Sequence, residues 1–146
     1  MILLYFDRAG LLDQLLTLPR LGLTSSVRRE LRRWEALSEA VEGAIAGGAL
    51  SLCDLDPSNE EEQTLYFLYR ERDGFGDGEA TSMAVAYCRG FTFVTHDLVP
   101  AAKIKRLGVK VLDWHDLLAE LTDSEAITRA EHGKALRQIQ GMMRGR

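Results

Sequence analysis

Three carboxylates in this chain stand where a metal ion could use them. Glu79 follows the loop Asp73-Gly-Phe-Gly-Asp-Gly78 and opens a helical stretch. Asp97 ends the apolar run Phe91 to Thr95, and Glu30 lies early in a helix behind Leu21 to Thr24. In an open parallel sheet, ligands gather beyond the carboxyl ends of the strands, so acids delivered there by separate elements can converge. Converging carboxylates suit a hard divalent cation, magnesium or manganese, which takes oxygen ligands and keeps several waters. Such an ion lowers the pKa of a bound water and neutralises charge on a phosphodiester under attack. Each acid also has an ordinary explanation. Glu79 suits the positive end of a helix macrodipole, Asp97 suits an N-cap, and Glu30 could be a solvated ion-pair partner of Arg28, Arg29, Arg32 or Arg33. The set, rather than any one member, points to a site.

The elements that must position these acids follow from periodicity. Leu4, Leu11, Leu12, Leu15 and Leu16 recur at helical spacing before Pro19, while Ile2 to Phe6 fits either a short strand or a helix. Leu21 to Thr24 reads as a strand. Ser25 or Ser26 would then cap a helix with Val27, Leu31 and Trp34 on one face, and a second helix, about Leu37 to Ala46, ends at Gly47-Gly48. Leu50 to Cys53 is another strand and Asp54 to Pro57 a turn. Ser58 with Glu60, Glu61 and Glu62 starts a helix that runs to about Arg72. From Glu79, the residues Ala80, Met83, Ala84, Tyr87 and Cys88 form a stripe suited to packing on a sheet. Strand Phe91 to Thr95, helix Pro100 to Leu107 and strand Val109 to Leu112 make a right-handed parallel crossover. The tail is helical over Trp114 to Leu121 and about Ser124 to Met142. Alternating strands and helices imply a three-layer α/β domain.

At 146 residues and 46% hydrophobic, the chain can bury one core, and no linker or low-complexity run divides it. A single domain over 1–146 is expected, with a helical tail over about 114–146. No apolar run reaches the roughly eighteen residues of a membrane span, and Met1 to Phe6 lacks the basic flank of a signal peptide. A cytoplasmic protein without membrane contact is expected. Cys53 and Cys88 have neither Cys-x-x-Cys spacing nor nearby histidines, which favours buried thiols over zinc or redox chemistry. His96, His115 and His132 are scattered, and surface or capping roles are expected for them. The net charge of −4 argues against nucleic-acid binding driven by overall charge and leaves local patches. Lys103, Lys105, Arg106 and Lys110 form one. Arg28, Arg29, Arg32 and Arg33 form another, as either a phosphate-holding surface or a solvated helix face. A phosphate-binding or receiver-like domain has less support, because the chain has no Gly-x-x-x-x-Gly-Lys loop and no adjacent acids ending a first strand.

Five segments, Leu11-Leu-Asp-Gln-Leu-Leu16, Leu23-Thr-Ser-Ser-Val-Arg-Arg-Glu-Leu31, Gly78-Glu-Ala-Thr-Ser-Met-Ala-Val-Ala86, Phe93-Val-Thr-His-Asp97 and Leu107-Gly-Val-Lys-Val111, carry a family resemblance. Together they resemble the PIN-domain family of metal-dependent ribonucleases, which includes the VapC-type toxins of bacterial toxin-antitoxin pairs. The resemblance covers most of residues 10 to 112, and its most specific part is the Gly-Glu-Ala start and Thr-x-Asp end joined by a helix and a strand. It implies a Rossmann-like, mainly parallel sheet with four acids at its carboxyl edge. Glu79 and Asp97 fall on two of the family's metal-site acids, Glu30 on the acid of its Glu-Leu motif, and Thr95 on the hydroxyl residue that orients the site. It also implies a magnesium or manganese cofactor, an RNA substrate, and an antitoxin protein or a second copy as partner.

The beginning departs from the family pattern. Counting back from Gly10 puts the family's first strand and its terminal aspartate slightly before Met1. Asp7 would be the substitute if Ile2 to Phe6 were that strand, at an interval to Glu30 that is short for the family. Two explanations stay open: the start codon lies upstream and the chain is N-terminally shortened, or the chain is a degenerate relative with a weakened site. The expected function is a PIN-type ribonuclease, the toxin of a toxin-antitoxin pair. The alternative is a catalytically silent PIN-like protein acting through protein contacts, with the apolar positions Ile127, Ala130, Leu136, Ile139, Met142 and Met143 of the tail as a contact face.

Overall fold

The strands of this protein are short, and turns or helix caps bound them closely. In the computed structural model, which describes residues 1–145, α1 (Ile2–Arg8) and α2 (Leu12–Leu15) precede β1 (Leu21–Leu23). Then α3 (Ser25–Glu30) passes through a tight 3-10 turn, Leu31–Arg33, into α4 (Glu35–Ala46) and β2 (Leu50–Leu52). Next comes α5 (Glu60–Phe67), which continues as a wider π-type turn, Leu68–Arg72. The remaining elements are α6 (Asp77–Arg89), β3 (Phe93–Val94), α7 (Leu98–Lys105), β4 (Val111–Leu112), α8 (Trp114–Asp123) and α9 (Arg129–Arg144).

β1 pairs in parallel with β2, Leu21 opposite Leu50 and Leu23 opposite Leu52. β3 pairs in parallel with β4, Phe93 opposite Val111 and Val94 opposite Leu112. Each pair is joined by the helical crossover that parallel strands require, through α3 and α4 in the first and α7 in the second. The protein is α/β and mostly helical. Among the described residues its strands make two separate two-stranded sheets, where the sequence reading expected one central sheet.

Three apolar clusters hold the elements together. Leu4, Leu12, Leu23, Leu31, Leu37, Val41 and Leu50 pack around the first strand pair. Tyr69, Ala80, Met83, Ala84, Phe93 and Ile104 pack α6 against the second. Tyr5, Phe6, Leu118, Leu121, Ile127 and Ile139 join α1, α8 and α9. This last cluster explains why Ile2 to Phe6 is helical. Leu4 packs toward β1 while the next two residues, Tyr5 and Phe6, pack toward α8 and α9, as a helix wedged between two cores requires. Asp7 is therefore an exposed residue of α1 and does not end a strand. The tail, too, belongs to the core: Ala135 and Ile139 are buried, Leu136, Met142 and Met143 pack beside them, and Ala130 is exposed.

Several local expectations shift by a residue or two because a nearby side chain makes the better cap. Thr24 caps α3, accepting from the Val27 N–H, and Asn59 caps α5, accepting from the Glu62 N–H. The helix at Glu30 also ends sooner than expected: Leu31 remains buried, but Trp34 turns to extended backbone at the N-cap position of α4, without a side-chain capping bond, instead of extending α3. In α6 the buried stripe Ala80, Met83 and Ala84 continues through Val85 and Ala86, leaving Tyr87 exposed and Cys88 half-buried. Cys53 is half-buried as well. Gly90, at φ 68°, takes the left-handed turn that ends α6 and leads into β3.

Candidate active site

Four elements bring their ends to one cavity of about 280 Å³. Glu30 is the last residue of α3 and Glu79 lies in the first turn of α6. Thr95 and Asp97 follow β3, with Asp97 at the N-cap position of α7. All four line the cavity, together with residues of β1 and β3 and with Met1. Glu79 is half-buried; Glu30 and Asp97 are more exposed.

The ordinary explanations for these acids account for little of the geometry. Asp97 occupies an N-cap position, yet its side chain makes no capping hydrogen bond. The Thr95 hydroxyl instead accepts from the Asp97 backbone N–H at 3.1 Å, fixing the corner from which that carboxylate projects. Three of the four arginines near Glu30, namely Arg28, Arg29 and Arg33, meet other groups. Arg28 donates to Glu42 through Nε at 2.7 Å and through Nη2, Arg29 lies 3.7 Å from Asp77, and the Arg33 guanidinium sits 4.4 Å above the Trp34 ring. These contacts favour a structural role for the cluster over a phosphate-holding one.

Glu79 carries the electrostatic signature of the cavity. Burial pushes its carboxyl above the usual range, and the charges of Asp97 and then Glu30 push it further; the amino group of Met1 pulls the other way. Converging like charges raise a carboxyl in this manner, and a cation among them would lower it again. Hard oxygen donors from three elements are the right kind of ligand for magnesium or manganese. Glu79, Asp97 and Glu30 are the residues that could hold such an ion. Among the described residues, no three His, Cys, Asp or Glu side chains are drawn together tightly enough to form a ready-made ligand set.

His96 was not expected here. Its side chain is only 10% exposed, lines the same cavity, lies 3.6 Å from the Asp97 carboxylate and meets the edge of Tyr5 with ring centroids 5.7 Å apart. The available signal was its place between Thr95 and Asp97 just past the end of β3, where strict strand alternation no longer holds and consecutive residues can line one cavity. The other histidines lie elsewhere: His115 stacks on Trp114, and His132 hydrogen-bonds Thr122 at 2.8 Å. In kind, the site offers a pocket that gathers negative charge, one carboxyl prone to bind a proton or a cation, and an imidazole at its wall. Comparison with family models, with curated proteins and with solved structures finds no match to this chain.

Proposed function

We propose that this chain is a PIN-type ribonuclease domain that hydrolyses RNA phosphodiesters with magnesium or manganese. The observation that carries the proposal is the meeting of Glu30, Glu79, Thr95 and Asp97 in one cavity. When bound, the ion would supply a lowered pKa for a water ligand and charge neutralisation at the phosphate. The protein's part is to hold that charge in place. Glu79, destabilised as an anion by burial and then by its acidic neighbours, gains most from a cation; Asp97 is aimed by the Thr95 corner; Glu30 completes the acid rim from α3.

The finer fold reading is a Rossmann-like PIN domain with one mainly parallel central sheet. Residues of β1 and β3 line the same cavity, and both strands lead at their carboxyl ends toward acids in it. The resemblance to VapC-type toxins extends the proposal to a cytoplasmic toxin with an antitoxin partner.

The test is manganese-dependent RNA cleavage by the wild type, Glu79→Gln and Asp97→Asn. Activity lost in both variants is the expected result. Equal cleavage by all three removes these residues from the mechanism.

A further inference from the structure

The acids of the cavity come from helices that do not touch each other through those acids, so something else must set their spacing. Asp77, the first residue of α6, stands at the junction. Its carboxylate accepts from the Tyr66 hydroxyl of α5 and lies 3.7 Å from Arg29 of α3, and Ser26 of that helix stands next to it, its Oγ 3.7 Å from where a Cβ on Gly78 would sit. Beside it, Gly78 lets the two helices close: a Cβ there would come within 3.1 Å of Val27 Cγ2, tighter than ordinary van der Waals contact. Glu79 follows in the same turn of α6, and Glu30 ends α3 one residue after Arg29.

We propose that Asp77 is the positioning residue of the acid site, clamping α3 to the first turn of α6 so that Glu30 and Glu79 face one cavity. The part of this inference that concerns metal binding rests on the nuclease reading above; the part that concerns α3 does not. Asp77 touches no substrate on this account. Its carboxylate works through Ser26 and Arg29 on the helix that carries Glu30, and Tyr66 keeps it turned toward them.

Manganese titration calorimetry and amide hydrogen exchange on the full chain test the clamp together. Supporting partners of metal ligands typically change affinity about 10–100-fold when removed. Asp77→Ala is expected to weaken manganese binding by about tenfold or more and to speed exchange in residues 25–30, with α8 and α9 unchanged. Tyr66→Phe, which removes the hydroxyl that donates to Asp77, and Ser26→Ala, which removes the neighbouring hydroxyl, should each give part of that effect, and Gly78→Ala should reproduce it by pushing α3 away. Unchanged manganese affinity in Asp77→Ala would overturn the proposal, as would exchange that rises equally across all helices. If the wild type binds no manganese, the nuclease reading fails, and exchange alone decides the clamp: faster exchange confined to α3 supports it, and unchanged exchange overturns it.

Discussion

At the last turn of α6, Arg89 grips a buried acid, whereas at the first turn of the same helix Glu79 faces two further acids. Glu62 is 1% exposed, yet its carboxyl lies below the usual range, chiefly because Arg89 donates to it through Nε at 2.8 Å and Nη2 at 2.9 Å. The Asp56 N–H adds a third bond at 3.0 Å, and Arg89 also donates to the Asp54 carbonyl at 2.7 Å. Glu79 is shifted the opposite way, first by burial and then by the charges of Asp97 and Glu30. Depth alone therefore does not set the sign; partners do. An acid whose bonds are filled by its own chain holds the fold together. One whose neighbours repel it is a candidate for binding something else.

The largest effect is expected from cutting the filled end. Arg89→Ala leaves Glu62 buried without its main partner and should destabilise the protein by about 3 kcal/mol, measured by denaturant unfolding. A loss well under 1 kcal/mol would dissolve the contrast, because Glu62 would then be as tolerant of isolation as Glu79. A middle-sized change outside α6 serves as the control. Asp113 and Asp116 form a capping box at the start of α8, so Asp113→Ala should lower stability by about 1 kcal/mol. Manganese affinity should not follow it.

The smallest effect carries the opposite sign. The Glu62 carboxyl is lowered on folding, so its contribution to stability is present above the ordinary carboxylate range and disappears as pH falls through the lowered folded value. The Glu79 carboxyl is raised on folding, so the penalty on the folded state grows as pH rises from the ordinary carboxylate value to the raised one, is complete above it, and is relieved on acidification. Glu79→Gln should accordingly be slightly more stable than the wild type at neutral pH, with the difference closing on acidification. Thermal melts across the acid range measure both signs. A Glu79→Gln variant that is less stable at neutral pH would assign Glu79 to the structure.

Much of this arrangement was legible in the sequence. The strands were recoverable because each is an apolar run next to turn or capping residues, and Glu79 and Asp97 stood out because a helix and a strand place them at a fixed interval. Thr24 was missed as a cap because Ser25 and Ser26 offered the same chemistry one and two residues on. Long-range pairs were hidden for a different reason. Glu62 looked like a helix-start acid, and nothing local marks Arg89 as its partner, since the pairing exists only after α5 and α6 pack together. Asp77 was obscured in the same way, as one of several acids in a glycine-rich loop whose partners, Ser26 and Tyr66, lie on other helices. The separation of the strands into two sheets could not be read at all, because periodicity names strands and not their neighbours.

Calorimetric titration of manganese into the wild type, Glu79→Gln and Asp97→Asn tests the central claim most directly. The account predicts saturable binding by the wild type that weakens by about tenfold or more when either carboxylate is neutralised. Equal binding by all three proteins, or no binding by any, would contradict it.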